Sequence, residues 1–221
     1  MIITSSLFVL LEAVLFYFII FGKNYVAEIS YISIVLCFLF SLLFFKKSDK
    51  LIMVGLLLTC GADYFLVLCP PAERLKGMIF FMAAQLVYGL RAHLLNRNKL
   101  LIILRAVLSV IGAVITVAIL KKNTDALSVI SVVYYANLVM NIICAFCHMR
   151  SSYILPFAFL MFLGCDTVIG LNVMGEGYIN ITEGSLVYNI IHCGFNLAWV
   201  FYLPSQVMIA LSGKEKFRRL V

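Results

Sequence analysis

Charged side chains are scarce in this chain. Asp, Glu, Lys and Arg together make up 12% of the 221 residues, whereas 64% of the residues are hydrophobic. An ordinary globular domain carries about 25% charged residues. A soluble fold of this size could not bury so much apolar surface, so the composition excludes that class. The apolar runs are continuous and do not alternate with polar residues, which argues against a transmembrane β-barrel. The sequence therefore predicts an all-α protein, a polytopic bundle of transmembrane helices.

Other features are also missing from the chain. The N-terminus has neither a basic segment nor a small-residue cleavage pattern, so we expect no cleavable signal peptide. Of the three histidines, His93 and His148 fall near predicted helix ends, away from the acidic residues, and no metal site and no cofactor are predicted. The net charge of +7 comes from Lys and Arg in short loops. It therefore points to membrane orientation and not to nucleic acid binding.

Apolar runs of about 20 residues, the length that crosses a bilayer, predict eight helices. Most connections between them are short, so neighbouring helices are expected to pack antiparallel in a single transmembrane domain over residues 1–221. The longest interruption, residues 175–184, is polar and contains glycine. The predicted helices are 3–22, 26–45, 50–69, 75–95, 100–120, 126–147, 153–174 and 185–212.

The basic residues are divided unequally between the two sides of this bundle. Twelve of the 17 Lys and Arg residues fall on the side that holds both termini, and five fall on the other side. Cytoplasmic loops carry an excess of Lys and Arg, so we expect cytoplasmic N- and C-termini. The predicted location is the cytoplasmic membrane of a bacterium, or the endoplasmic reticulum if the source is eukaryotic.

Two aspartates, Asp63 and Asp166, lie inside predicted spans. A carboxylate at membrane depth costs roughly 2.5–3.5 kcal/mol, which makes it a candidate functional group. Each lies 13 residues, about 20 Å, beyond the basic-side end of its helix, so both fall at one level in the outer half of the membrane. Two carboxyl groups in a desolvated site can divide the work of a general acid and a general base. The alternative is that each one merely hydrogen-bonds a neighbouring helix.

Further polar side chains are predicted in the same part of the bundle. Gln85 and Tyr88 share a face of the fourth helix, and Tyr188 and His192 share a face of the eighth. His192 is expected roughly 10 Å below the outer surface, level with the aspartates. Polar pairs of this kind also hold membrane helices together without any catalytic role. Glu12 and Asn137, nearer the midplane, complete this group of candidate supporting residues.

Several segments resemble the YhhN-like lysoplasmalogenase family. Residues 61–66, Gly-Ala-Asp-Tyr-Phe-Leu, and residues 77–88, Gly-Met-Ile-Phe-Phe-Met-Ala-Ala-Gln-Leu-Val-Tyr, are similar to its hairpin, which reads approximately Gly-Asp-x-x-Leu and then Gly-x-x-x-Phe-x-x-Ala-His-x-x-Tyr. Residues 159–167 resemble its Ser-Asp helix, and Tyr202 with Gln206 resembles its closing Tyr-x-x-x-Gln segment. The resemblance covers most of the chain and implies about eight helices.

The resemblance implies hydrolysis of the vinyl-ether bond of lysoplasmalogens, which yields a fatty aldehyde and a glycerophospho-alcohol. It makes a lysophospholipid-like membrane lipid the expected partner and Asp63 and Asp166 the catalytic acid and base, with Tyr202 and Gln206 as supporting residues. Two positions depart from the family pattern. Cys165 replaces a serine, and Gln85 replaces a histidine, and glutamine cannot shuttle a proton at neutral pH.

Two other functions remain open from the sequence. The same carboxylates could form the relay of a small-solute or proton-coupled transporter, which would show uptake driven by a pH gradient and no aldehyde product. Alternatively, the protein could be a lipid-binding member of the family that has lost catalysis, a reading that Gln85 suggests.

Overall fold

The computed structural model describes residues 2–43, 49–69, 72–96, 98–147, 153–175 and 181–213. Over these residues the chain forms nine α-helices and no strand, which confirms the predicted all-α class. The end of the second helix predicted at residue 45, half of the interruption predicted at 175–184 (residues 176–180), and His148 lie outside the described residues. The helices are α1 (Ile2–Phe21), α2 (Val26–Leu43), α3 (Lys50–Asp63), α4 (Arg74–Asn96), α5 (Lys99–Leu120), α6 (Ala126–Cys147), α7 (Ile154–Gly175), α8 (Leu186–Ile191) and α9 (Leu197–Ser212).

Seven of these helices, α1 to α7, are long and apolar enough to cross a bilayer. The most exposed of them is α5, which buries only Thr116 and presents large aliphatic side chains along the rest of its length. Such an apolar outer surface is stable in lipid and not in water, because insertion into the lipid removes the exposed aliphatic side chains from contact with water. The protein is therefore an integral, multi-pass helical membrane protein.

The predicted eighth helix, residues 185–212, is wrong in its extent. It is interrupted at residues 192–196, which separate the short α8 from α9. Gly194 and Asn196 lie in this interruption, and both residue types favour turns and helix ends over helix interiors. Ser185 caps α8 by accepting a hydrogen bond from the backbone N–H of Tyr188 at 3.1 Å. The last crossing of the membrane thus begins deeper than the continuous apolar pattern indicated.

The third span continues beyond Asp63 through one π-helical turn, Tyr64–Leu68. The backbone N–H of Cys69 closes this turn on the carbonyl of Tyr64, at 3.0 Å. With this turn the span runs from Lys50 to Leu68, close to the predicted 50–69. Single π turns of this kind are frequent at functional sites, and here the turn directly follows the buried aspartate.

The last helix lies in the centre of the bundle. It packs mainly against α7 and also against α1, α2 and α3. The backbone N–H of Asp49 donates to the carbonyl of Gly213 at 2.9 Å, which joins the start of α3 to the end of α9. The start of α3 and the end of α9 therefore lie on the same side of the bundle. We call this the basic side, because α3, α5 and α7 begin there, next to the loops with the excess of Lys and Arg.

A buried ion pair fastens the hairpin of α3 and α4 on the basic side. Asp49 caps α3 by accepting from the Leu51 N–H at 3.0 Å, and its other oxygen accepts from Arg91 Nε at 2.5 Å. The two side chains are 6% and 5% exposed. The cap satisfies a backbone donor that the first turn of a helix leaves free, and the ion pair joins that turn to α4.

Candidate active site

The structure brings Asp63 and Asp166 together from two different helices. Asp63 ends α3, about 20 Å from Lys50, and Asp166 lies on α7, about 18 Å from Ile154. The two carboxylates are near enough to interact electrostatically. Two like charges that interact inside a membrane bundle destabilise each other when both are ionised, so the arrangement disfavours ionisation of both acids at once.

A tyrosine holds each carboxylate in place. Tyr202 on α9 donates to Asp63 Oδ2 at 2.6 Å, and Tyr134 on α6 donates to Asp166 Oδ2 at 2.6 Å. Hydrogen bonds to a carboxylate are among the stronger ones in proteins. The Tyr202 contact crosses 139 positions of sequence. The site is therefore assembled from α3, α6, α7 and α9, and each acid has its own orienting phenol.

Aromatic rings separate this site from the rest of the core. Phe81 on α4 lies edge-on to both Phe162 and Tyr202, with ring centroids 5.8 and 6.2 Å apart, and it contacts Tyr134 at 6.0 Å. Gly164 brings α7 close to α9, since a side chain at this position would stand 3.0 Å from the Phe201 ring. The two carboxylates thus lie in an apolar enclosure, where electrostatic interactions are stronger than in water.

The two acids differ in how much of each side chain is exposed. Asp63 is only 3% exposed, whereas Asp166 keeps part of its surface accessible. A cleft of about 410 Å³ opens above them, on the side opposite the basic side, between α7, α8 and the start of α9. Val168 and Leu197 both line this cleft, and they lie about 3 Å along α7 from Asp166 and about 8 Å along α9 from Tyr202. The cleft therefore lies above the pair along the helices, and neither aspartate is among the residues that line it.

Gln85 links this site to a polar network nearer the basic side. Its side-chain oxygen accepts from Asn141 Nδ2 at 2.7 Å, and Asn141 Oδ1 accepts from Arg105 Nη2 at 2.6 Å. The Gln85 side chain also lies beside Tyr134. Arg105 donates in addition to Oδ1 of Asn137 at 3.1 Å. Asn137, predicted as a supporting residue, therefore belongs to this network and not to the carboxyl pair.

Three of the predicted supporting residues keep a buried polar atom that has no hydrogen-bond partner among the described residues. These atoms are Nε2 of Gln85, the hydroxyl of Tyr88 and Oε1 of Gln206, on side chains that are 0–2% exposed. Tyr88 packs on Phe159 and over the bare backbone of Gly55. Unpaired buried polar groups are costly. They are rare enough in native proteins that each one calls for an explanation, and one such explanation is a functional role.

Three further predicted residues lie away from the pair. Glu12 on α1 is buried, but its carboxylate accepts from Ser33 and from the Cys37 thiol on α2, so it joins these two helices. Tyr188 and His192 stack on each other with ring centroids 4.1 Å apart. His192 follows the last residue of α8 and is exposed. Its predicted position level with the aspartates is wrong, because the helix that would have carried it inward is interrupted there.

The sequence prediction missed Tyr134. It stands three positions before Asn137, on a helix whose other residues around it are mostly apolar, and tyrosine is common in such helices without any polar function. The available signal was the depth of the residue. Tyr134 lies about 20 Å from Cys147 along its helix, which is level with both aspartates. Depth was the criterion by which the other polar residues were selected, and it applies equally to Tyr134.

A family model described as the YhhN family matches residues 23–213. Comparison with the curated proteins and with the solved structures finds no significant match. The matched segment begins after α1, so Glu12 lies outside it, whereas both aspartates and both tyrosines lie inside. The match spans all the helices that build the site. The chain belongs to the YhhN family.

Proposed function

We propose that the protein is an intramembrane hydrolase that opens the vinyl-ether bond of lysoplasmalogen-like lipids. The observation that carries this proposal is the pair Asp63 and Asp166, each held by a tyrosine, at one depth inside the bundle. Membership of the YhhN family is compatible with a hydrolase. The substrate class is the one that the resemblance to lysoplasmalogenases implies, and it suits the chemistry that two such carboxyl groups can perform.

Hydrolysis of a vinyl ether needs one acid and one base. The acid transfers its proton to the alkene carbon that does not carry oxygen, which leaves an oxocarbenium ion at the carbon that does. An ionised carboxylate stabilises this cation and accepts a proton from the water that adds to it. The resulting hemiacetal loses the glycerol oxygen as an alcohol and becomes an aldehyde, and the proton balance between the two acids is restored. Glycosidases with two carboxylates follow the same logic.

The two roles are proposed from the difference in exposure between the two acids. Asp166 is the acid that keeps part of its surface accessible, so in the proposed reaction it activates water. Asp63 is enclosed and donates the proton to the alkene carbon. Tyr202 and Tyr134 fix the orientation of the carboxyl groups. The aromatic walls formed by Phe81 and Phe162 provide apolar surroundings for the alkenyl chain.

The test measures aldehyde release from a lysoplasmalogen by purified protein. Asp63→Asn and Asp166→Asn remove one ionisable group each and keep its shape, so each should lose on the order of 10²-fold or more in turnover, the scale of acid–base catalysis. Asp125→Asn, at an exposed acid at the start of α6, is the control and should retain the wild-type rate. In D₂O the aldehyde should carry one deuterium on the carbon next to its carbonyl group.

Wild-type turnover in both aspartate variants would refute the proposed roles. If the wild-type protein releases no aldehyde but drives solute uptake into proteoliposomes under a pH gradient, the carboxyl pair belongs to a transporter. Deuterium absent from the aldehyde would exclude protonation at carbon, even if the bond is cleaved.

A further inference from the structure

A second cavity lies on the basic side, between α4 and α5. Helix α5 packs against α6, and α4 packs against α3 and α6, which leaves a space of about 240 Å³ between α4 and α5. Leu86, Leu90 and Ile102 form its aliphatic walls. Since α5 is the helix with the largest lipid-facing surface, the cavity borders the membrane.

Arg105 lies in the wall of this cavity. Its guanidinium donates to Asn137 and Asn141, both of which are neutral, and it also lies beside the thiol of Cys144. Among the described residues no carboxylate pairs with it. Arg105 is six residues beyond the start of α5, about 9 Å inside the helix. An arginine at such a depth is costly unless a partner compensates for its charge.

The position of the guanidinium is determined on both sides. A side chain at Gly89 would stand 2.4 Å from Arg105 Nη1, so the glycine on α4 leaves the space that the guanidinium occupies. The two asparagines of α6 hold it from the opposite direction. A guanidinium that is already ordered loses little conformational freedom when it binds a ligand, and its planar fork matches the oxygens of a phosphate.

We propose that this cavity binds a phosphate ester, with Arg105 contacting the phosphate oxygens. Asn98 and His93, which also line the cavity, extend its polar side toward the membrane surface, and the aliphatic walls accept an acyl chain. This combination of one fixed cation and apolar walls fits the phosphate group of a membrane lipid. The site is separate from the carboxyl pair, and its occupation does not depend on hydrolysis.

The test compares two lipids that differ only in the phosphate. Binding of a lysophosphatidic acid and of a monoacylglycerol with the same acyl chain is measured by native mass spectrometry on the purified protein. We expect at least a tenfold preference for the phosphate-bearing lipid. Arg105→Met should bring the ratio close to one, and Gly89→Ala should lower it by displacing the guanidinium. Lys99→Met, at the exposed start of the same helix, is the control and should leave the ratio unchanged.

Equal binding of the two lipids by the wild-type protein would overturn the proposal, and so would a preference that survives in Arg105→Met. If that variant does not fold, Gly89→Ala decides, because the ratio compares two probes on one sample. Inorganic phosphate serves as the competitor. If millimolar phosphate displaces the lipid, the ligand of the cavity is free phosphate. If it does not, the ligand is the phosphate group of a lipid. Asp63→Asn should keep the preference, which separates this site from the proposed hydrolase.

Discussion

Gln85 occupies the position between the carboxyl pair and the Arg105 network. Its side-chain oxygen and its backbone carbonyl both accept from Asn141, and its side chain lies beside Tyr134, which holds Asp166. None of these contacts requires a proton to be transferred. The histidine of the family pattern is therefore replaced here by a residue that positions its neighbours, which is compatible with activity.

The role of Gln85 can be tested with two substitutions. Gln85→Leu keeps the size of the side chain but leaves Asn141 without its side-chain acceptor, so unfolding should become easier by about 1–3 kcal/mol. Aldehyde release should fall less than in the aspartate variants. Gln85→His should keep turnover within a few fold of wild type. Thermal unfolding and the aldehyde assay measure the two effects.

A different result for Gln85→His would change the interpretation of this position. Aldehyde release by Gln85→His alone, with none from the wild-type protein, would identify this chain as a family member that has lost catalysis.

Single residues of the site were predictable to different degrees. Asp63 and Asp166 stand out because an acid in an apolar run is rare, and the sequence alone selects them. Tyr134 was not predictable in this way, since a tyrosine in a membrane helix carries no such cost. The unpaired polar atoms of Tyr88 and Gln206 depend on packing between helices that are distant in sequence.

At the scale of helices, the pair Asp49 and Arg91 determines how α3 and α4 meet on the basic side. Asp49→Ala removes the cap of α3 and leaves a buried arginine without its partner, which should lower the free energy of unfolding by about 3–5 kcal/mol. The double variant Asp49→Ala with Arg91→Met should recover much of this loss, because it removes the unpaired charge. Thermal unfolding in detergent measures both.

The matched control is Asp125→Ala. This aspartate also accepts from a backbone N–H in the first turn of its helix, at 2.8 Å from Ser128, but it is exposed and has no ion pair among the described residues. The free energy of unfolding should fall clearly less in Asp125→Ala than in Asp49→Ala. Equal losses in the two variants would mean that the cap, and not the ion pair, stabilises the hairpin.

The helices themselves were largely predictable, because long apolar runs in a membrane protein have few alternatives. The starts of α3, α5 and α6 agree with the sequence prediction to within one residue. The interruption before α9 was not foreseen. Gly194 and Asn196 favour a helix end, but the run around them is mostly apolar, so the apolar pattern alone does not predict a break there.

At the scale of the whole molecule, the hydrogen bond between Asp49 and Gly213 implies an even number of membrane crossings between the start of α3 and the end of α9. The positive-inside rule then predicts that the basic side is cytoplasmic. Single cysteines labelled with a membrane-impermeant maleimide can test this orientation. Cys69, Cys147 and Cys193, the cysteines that are not buried, are first replaced.

In this background, Lys122→Cys lies between α5 and α6 and should react in intact cells. Lys99→Cys, at the start of α5, should react only after the membrane is permeabilised. The reverse pattern would place the basic side outside. The orientation could be predicted from the charges of the loops alone, whereas the family match concerns the fold and leaves the orientation open.

The short central helix has a consequence for the membrane itself. With 16 residues, α9 is about 24 Å long, shorter than a hydrocarbon core of about 30 Å. Because longer helices surround it, the lipid around the protein does not have to thin to match it. The mismatch is instead located inside the bundle, above the start of α9, where the cleft lies. The apolar barrier is thinnest there, so a water molecule crosses the shortest apolar distance on its way to the site where the proposed reaction consumes one.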